Sequence, residues 1–361
     1  MWLVVGVWGC GTAPVERNTG AQGDLSAEHG GNVVGFTSSG AMVVFDGQTG
    51  EVKSLAQGGG GRPRDVAVDP WRTGVWVFEE NEDASGGEIR FCGLEKVFGE
   101  GNRDAETVLR PCEHAVWVDG LAALLPTRAG LWVFEDGIGG ARWKMLQAGK
   151  VNASASAPRP ASIWVEGERI EALSYGFEGN RLLKYAATFE HNAPEVLAEF
   201  DWGASEGYPP TARYARSSHD AGLLFDAVNH ALTVRRVSDG QMGAPAVVDV
   251  GGGLTRLEAA EVVGESALVL ATESLWIVTL DGGIVEAMTS VWLDGEVRSS
   301  QMFFSRDMLV MPTHAFVATD RGVRAVVLEK DGDAVLHGRI DEQFVGAGLR
   351  GPLDVIRGGS L

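Results

Sequence analysis

Apolar residues run along this chain in short bursts, not in helical stripes. Runs rich in Val, Ile, Leu, Phe and Trp recur between clusters of Gly, Pro, Asp and Ser, and no stretch sustains a 3.6-residue period. The segment "DVAVDPWRTGVWVFEE" (65–80) shows the unit: an apolar run, a turn carrying Pro70 and Gly74, then a second apolar run. That pattern predicts a β-hairpin. "LAALLPTRAGLWVFED" (121–136) repeats it without a gap, matching Pro70 with Pro126, Gly74 with Gly130 and Trp76 with Trp132. Worn copies follow at 171–186, 222–236, 266–280 and 307–320, the last restoring an acid and a proline as Asp307 and Pro312.

A second echo marks the strand before the hairpin. "AVWVDG" (115–120), "SIWVEG" (162–167) and "SVWLDG" (290–295) share an apolar–Trp–apolar–acid–Gly pattern, with "EFDWG" (199–203) a fainter copy. The expected order is therefore an outer strand D, a crossing to the next unit, an A–B hairpin and a strand C. Units spaced by about 40–56 residues have the length of four-stranded propeller blades. The first folded residues (32–55) supply strands B, C and D without an A, and "PLDVIRGG" (352–359) supplies a lone A. Pairing the two ends would close a ring. The prediction is an all-β single propeller over residues 31–361 with seven four-stranded blades, six or eight remaining open.

Residues 41–81, with "DGQTGEV", a Gly-rich gap and "RPRDVAVDP", resemble the YVTN/NHL/WD-repeat class of β-propellers. The resemblance is good over about 60 residues and implies an architecture; it says little about function. Trp76, Trp132 and Trp276 are expected at one place in successive B strands, and Trp117, Trp164 and Trp292 at one place in D strands. Recurrence at one structural position points to packing between blades more than to ligand stacking.

Length agrees with a repeat architecture. A single ordinary core rarely grows past roughly 250–300 residues, and the chain has 361 with 50 glycines for tight turns. A formal net charge of −19 repels phosphate backbones, so nucleic acid is not an expected partner. "MWLVVGVWGC" (1–10) places an apolar run and Gly9 directly before Cys10, similar to the end of a bacterial lipoprotein signal peptide, although Trp8 is unusual there and the basic opening stretch is missing. That likeness implies lipidation of Cys10, export, and an envelope protein touching the membrane only through its anchor. Residues 11–30 carry few apolar side chains and read as a linker. Cys92 and Cys112 then remain as an even pair, expected to form a disulfide in an oxidising compartment across neighbouring strands C and D, at the base of a long polar loop.

Motifs for catalysis are absent: no G-x-S-x-G, H-E-x-x-H, P-loop or EF-hand occurs. Ser218, His219 and Asp220 stand in a row, and adjacent residues rarely converge as a triad. No catalytic residue is assigned. One pattern has chemical meaning. An acid stands at or near the start of each expected A strand: Asp65, Asp119, Glu171, Asp220, Glu265, Asp307 and Asp354. Seven carboxylates around a channel mouth would attract Ca²⁺, the one candidate cofactor. The expected function is a binding or scaffold protein for a protein, peptide or glycan. The alternatives are a metal-dependent, lactonase-like hydrolase at the mouth and a purely structural envelope protein.

Overall fold

The computed structural model describes residues 31–361 except 70, 72–73, 99–104, 148–149, 166–171, 179–180, 188–194, 202–211, 219–220, 229–230, 239–240, 251–253, 255, 282–283, 298–305 and 357–361. Cys10 and residues 11–30 therefore lie outside the described residues. The described strands form seven antiparallel sheets. Six follow chain order, from blade 2 (Arg62–Asp69, Gly74–Glu80, Gly86–Phe98 and Ala105–Asp119) to blade 7 (Met308–Val310, His314–Thr319, Gly322–Asp331 and Ala334–Ile340). In blade 1 the C-terminal strand Leu349–Ile356 pairs with Asn32–Thr37, followed by Met42–Asp46 and Val52–Ala56. Among the described residues no helix is long and apolar enough to cross a membrane.

Why the apolar runs fail to alternate is visible in blade 1. Val33 packs with Phe316 and Val323 of blade 7, and Val34, on the other face, packs with Val66 and Val75 of blade 2. A blade is buried on both faces, so a central strand must be apolar at every position. Among the described residues there are seven apolar clusters, each shared by two neighbouring blades in cyclic order. The molecule is a β-propeller.

Several strand assignments shift. The hairpins at 65–80, 121–136 and 307–320 are A–B, as expected, but those at 171–186, 222–236 and 266–280 are B–C. "SIWV" belongs to strand A of blade 4 (Arg159–Val165), not to a D strand. In blade 5 the A strand is short (Arg213–Arg216) and in blade 6 two acids interrupt it (Leu257–Val263), whereas Ser266–Ala271 is buried at every residue. Apolar density therefore marks the central strands there.

The tryptophans separate in consequence. Trp132 is fully buried in strand B of blade 3, edge-on to Trp143 with ring centroids 6.3 Å apart. Trp276 stands in strand C of blade 6, and Trp164 in an A strand under the Arg216 guanidinium, 4.4 Å from its ring. Trp117 and Trp292, in D strands, are 44% and 61% exposed and are not blade wedges.

Cys92 and Cys112 are bonded, as expected. They do not sit at the base of a loop, however. Strands C and D of blade 2 continue as a paired ribbon past the disulfide, from Leu94 opposite Leu109 to Phe98 opposite Ala105. Leu94 and Leu109 are buried with Val34 and Phe36 of blade 1, and the Leu109 amide donates to the Ser54 hydroxyl at 2.9 Å. The disulfide thus holds a ribbon that straps blade 2 to the blade where the chain ends meet. Replacing both cysteines by serine is expected to lower stability by about 3 kcal/mol, the chain-entropy value for a loop of this size. Urea unfolding of oxidised wild type against the double variant measures this.

Candidate functional site

Strand A forms the inner edge of each blade, and its first residues mark one face of the ring. At that face the seven expected acids do not form a ring. Asp119 ends strand D of blade 2, exposed, with its carboxylate accepting from the Trp117 indole at 3.3 Å. Asp307 directly precedes strand A of blade 7. Glu265 precedes strand B of blade 6, in an A–B turn at the opposite end, because the hairpin at 266–280 is B–C. Glu171 and Asp220 lie outside the described residues. Among the described residues no three His, Cys, Asp or Glu side chains converge on a metal position.

Asp65 and Asp354 do come together, inside their A strands and not at the rim. Each accepts its own following amide, Val66 or Val355, and reaches one blade onward. Asp354 takes the Val68 amide at 2.8 Å, and Asp65 takes the Leu124 amide at 2.7 Å. One acid per blade thus laces three successive A strands. Arg306, entering from blade 7, lies 2.9 Å from Asp65 and 3.2 Å from Asp354, and donates to the Leu124 carbonyl at 2.9 Å. Burial pushes the Asp65 carboxyl up to about 6, against the pull of Arg306 and of the Leu124 and Val66 amides. These carboxylates are consumed by the ring. Arg306 carried no signal in the sequence, since its partners lie in distant blades.

A third acid escaped sequence reasoning. Glu261, in strand A of blade 6, borders a channel hollow of about 420 Å³ together with Trp164, Arg216 and Arg306. Its side chain is partly accessible from that hollow but enclosed by protein, and burial alone raises its carboxyl to about 7. Asp65 and Glu261 therefore hold protons in the folded chain that an unfolded chain releases near pH 4. Their contribution to stability is full below that pH and is lost as pH rises through about 6 to 7. Acidification from pH 7.5 to 5 is expected to raise the melting temperature. Glu261→Gln is expected to flatten this dependence and to stabilise at neutral pH by roughly 1–2 kcal/mol. Melting curves across pH decide it; an unchanged slope in the variant refutes the assignment.

The face where the A strands begin carries a groove. Its inner part, about 500 Å³, lies among blades 7, 1 and 2 and is bordered by Arg350, Asp307, Asp320 and Arg62. Its outer part, about 240 Å³, runs over blade 2 to Trp117. Gly60, Gly61 and Glu82 border both parts, so the two adjoin. The floor is the run Gly59–Gly61, which Gly58 precedes. A Cβ at Gly58 would stand 2.6 Å from the Gly40 carbonyl oxygen, and Gly60 adopts φ +92°, so side chains are excluded there. Glu79, buried beneath, accepts the Gly59 amide through both carboxylate oxygens at 3.0 and 2.9 Å and lies 3.3 Å from Arg90. Burial raises its carboxyl, while the amide and Arg90 oppose the rise.

No family model and no curated protein matches the sequence. The fold has solved likenesses. A putative 6-phosphogluconolactonase from Bacteroides uniformis superposes with TM-score 0.59 at 10% identity, covering 91% of this chain and 100% of that one. A protein from Lactobacillus plantarum gives 0.59 at 11% identity, with 89% and 99% covered. A functionally unknown protein from Desulfotomaculum acetoxidans gives 0.57 at 11% identity, with 90% and 98% covered. At such identities the likeness defines the class, a β-propeller, and not an activity.

Proposed function

We propose that the chain is a non-catalytic binding protein that takes its ligand in the groove on the face where the A strands begin. The observation that carries this reading is the groove itself: two adjoining hollows over a glycine floor, on turns of the blades. The side chains of Arg62 and Glu82 border it with no hydrogen-bond or ion-pair partner among the described residues. The acids that could have served a metal-dependent hydrolase are spent differently, Asp65 and Asp354 on amides and Arg306. A lactonase reading has only the fold likeness behind it.

The same proposal places the protein in a bacterial envelope, tethered through a lipid on Cys10 and the linker 11–30, a reading supported by the residues "VWGC" alone. Palmitate labelling of the full chain against Cys10→Ala tests the anchor; equal label in both refutes it. For the groove, the full chain is screened on peptide and oligosaccharide arrays. Arg62→Ala/Glu82→Ala should weaken any ligand found, while Glu265→Ala, in a turn at the opposite end, should not. Undiminished binding in the groove variant, or turnover of lactones, overturns the reading.

A further inference from the structure

Trp117 ends a row of side chains that crosses the outer part of blade 2. Glu79 is paired in register with Glu88, and Glu88 with Trp117, and directly opposed residues share one face of a sheet. That face looks toward blade 1, because Val75 and Val77, in step with Glu79, pack with Val34. Blade 1 sends no side chain into the gap there. It sends Gly59–Gly61, and the outer hollow of about 240 Å³ stays open. Trp117 belongs to none of the apolar clusters between blades among the described residues and is 44% exposed. Its ring is nevertheless held. The indole N–H donates to Asp119 at 3.3 Å, and a Cβ on Gly86 would stand 3.1 Å from Cζ2.

Charge says what this surface takes. Glu79, Glu82 and Glu88 border the outer hollow against Arg90 alone. Arg90 spans Glu79 and Glu88, at 3.3 and 2.5 Å, and one guanidinium cannot balance three carboxylates. The side chain of Glu82 has no hydrogen-bond or ion-pair partner among the described residues. The inner hollow is closer to balance. Glu80, Glu82, Asp307 and Asp320 face Arg62 and Arg350 there, and Arg64 holds Glu80 from outside the lining. The acid excess therefore concentrates beside the indole. An indole face attracts cations through its quadrupole, and the chain's net charge of −19 has the sign that draws them in. A neutral ligand would leave the excess unanswered, and an anion would be repelled. The floor separates kinds of cation. Gly59 and Gly60 are exposed, and nothing stands within 4 Å of a Cβ built on Gly60. Such a floor offers backbone N–H and C=O groups, which a peptide main chain can match and a polyamine cannot.

We propose that the groove binds a basic peptide, one lysine or arginine side chain entering the outer hollow between Trp117 and Glu82, with the peptide main chain over Gly60 and Gly61. This deepens the reading of that face as the binding surface and rests on it.

The test is calorimetric titration of the full chain with end-capped tetralysine, the same peptide acetylated on every Nζ, spermidine and cellotetraose. Tetralysine is expected to bind, and to bind roughly tenfold more weakly at about 0.5 M NaCl than at about 0.05 M, as screening of exposed charges requires. Acetylation keeps the length and removes the charge, and should abolish binding. Trp117→Ala should weaken tetralysine about fivefold, the worth of an exposed cation–π contact, and Trp117→Phe should retain most of the affinity. Glu82→Gln should also weaken it, Arg62→Ala should not, and Trp292→Ala, on blade 6, should change nothing. Each variant's melting curve reports whether it folds. If tetralysine fails to bind, or its acetylated form binds as well, the cationic assignment falls. The groove then still stands as a binding face if Arg62→Ala/Glu82→Ala weakens cellotetraose or a ligand from the arrays. If spermidine binds as tightly as tetralysine, the peptide assignment falls. If tetralysine binds but neither Trp117→Ala nor Glu82→Gln weakens it, this assignment and the groove reading both fall.

Discussion

Asp65→Ala is expected to destabilise the propeller by about 3–5 kcal/mol, the cost of stripping one partner from a buried ion pair. Three losses coincide in that one change. The Leu124 amide loses its acceptor across the blade boundary, the Val66 amide loses its own, and Arg306 loses its nearest carboxylate. Asp354→Ala breaks an equivalent set, but Asp354 is 20% exposed, so water can replace part of what is removed and the loss should be smaller. Buried ion pairs are costly to break and modest in net worth. The double replacement Asp65→Leu/Arg306→Met should therefore lose less than the sum of its single variants. Urea midpoints at neutral pH measure all of these. A loss below about 1 kcal/mol for Asp65→Ala would show that the lacing is incidental to stability.

Trp132→Ala is expected to cost a similar 3–5 kcal/mol, as truncation of a large buried aromatic does. Trp132 is fully buried, and Trp143 and Phe134 form an aromatic group with it whose contacts reach Tyr185 of the next blade. The Trp143 indole donates to the Tyr185 hydroxyl, which in turn donates to the Pro158 carbonyl at 2.8 Å. A void there would open one blade boundary of a closed ring. Trp292→Ala, at a residue 61% exposed, should stay within about 0.5 kcal/mol. Both tryptophans follow apolar residues in repeated patterns, and only their strands distinguish them. Thermal and urea unfolding of the pair provides the comparison; equal losses would contradict the packing described.

How much was legible follows from which forces are local. The hairpins at 65–80 and 121–136 read correctly because turn chemistry and apolar runs lie within one stretch of chain. Those at 171–186, 222–236 and 266–280 look like A–B hairpins in sequence and are B–C hairpins in the structure. In blade 4 the A strand is the "SIWV" segment, whose tryptophan pattern matches that of the D strands, and in blades 5 and 6 the A strand is short or interrupted by acids. The pairing of Cys92 with Cys112 follows from strand adjacency, whereas the ribbon beyond it hid inside a polar-looking segment. Its burial depends on Leu94 and Leu109 meeting blade 1.

The candidate site was legible only in its parts. Asp65 and Asp354 stand out as acids beside apolar runs, but an acid at a strand looks the same whether it binds a metal or takes a neighbour's amide. Arg306 decides between these, and it arrives from a segment more than two hundred residues away from Asp65. Trp117 has the same neighbours in sequence as a packing tryptophan. Its release to the surface comes from its place on an outer strand, beside a glycine run four residues long.

Repeated apolar runs, turn residues, charge and paired cysteines belong to the chain alone, because backbone propensity and burial act over a few residues. Which acids lock the ring, which tryptophans face water and where a groove opens belong to the tertiary structure. Each of those depends on desolvation and on partners from other blades, and neither exists until the blades have closed on one another.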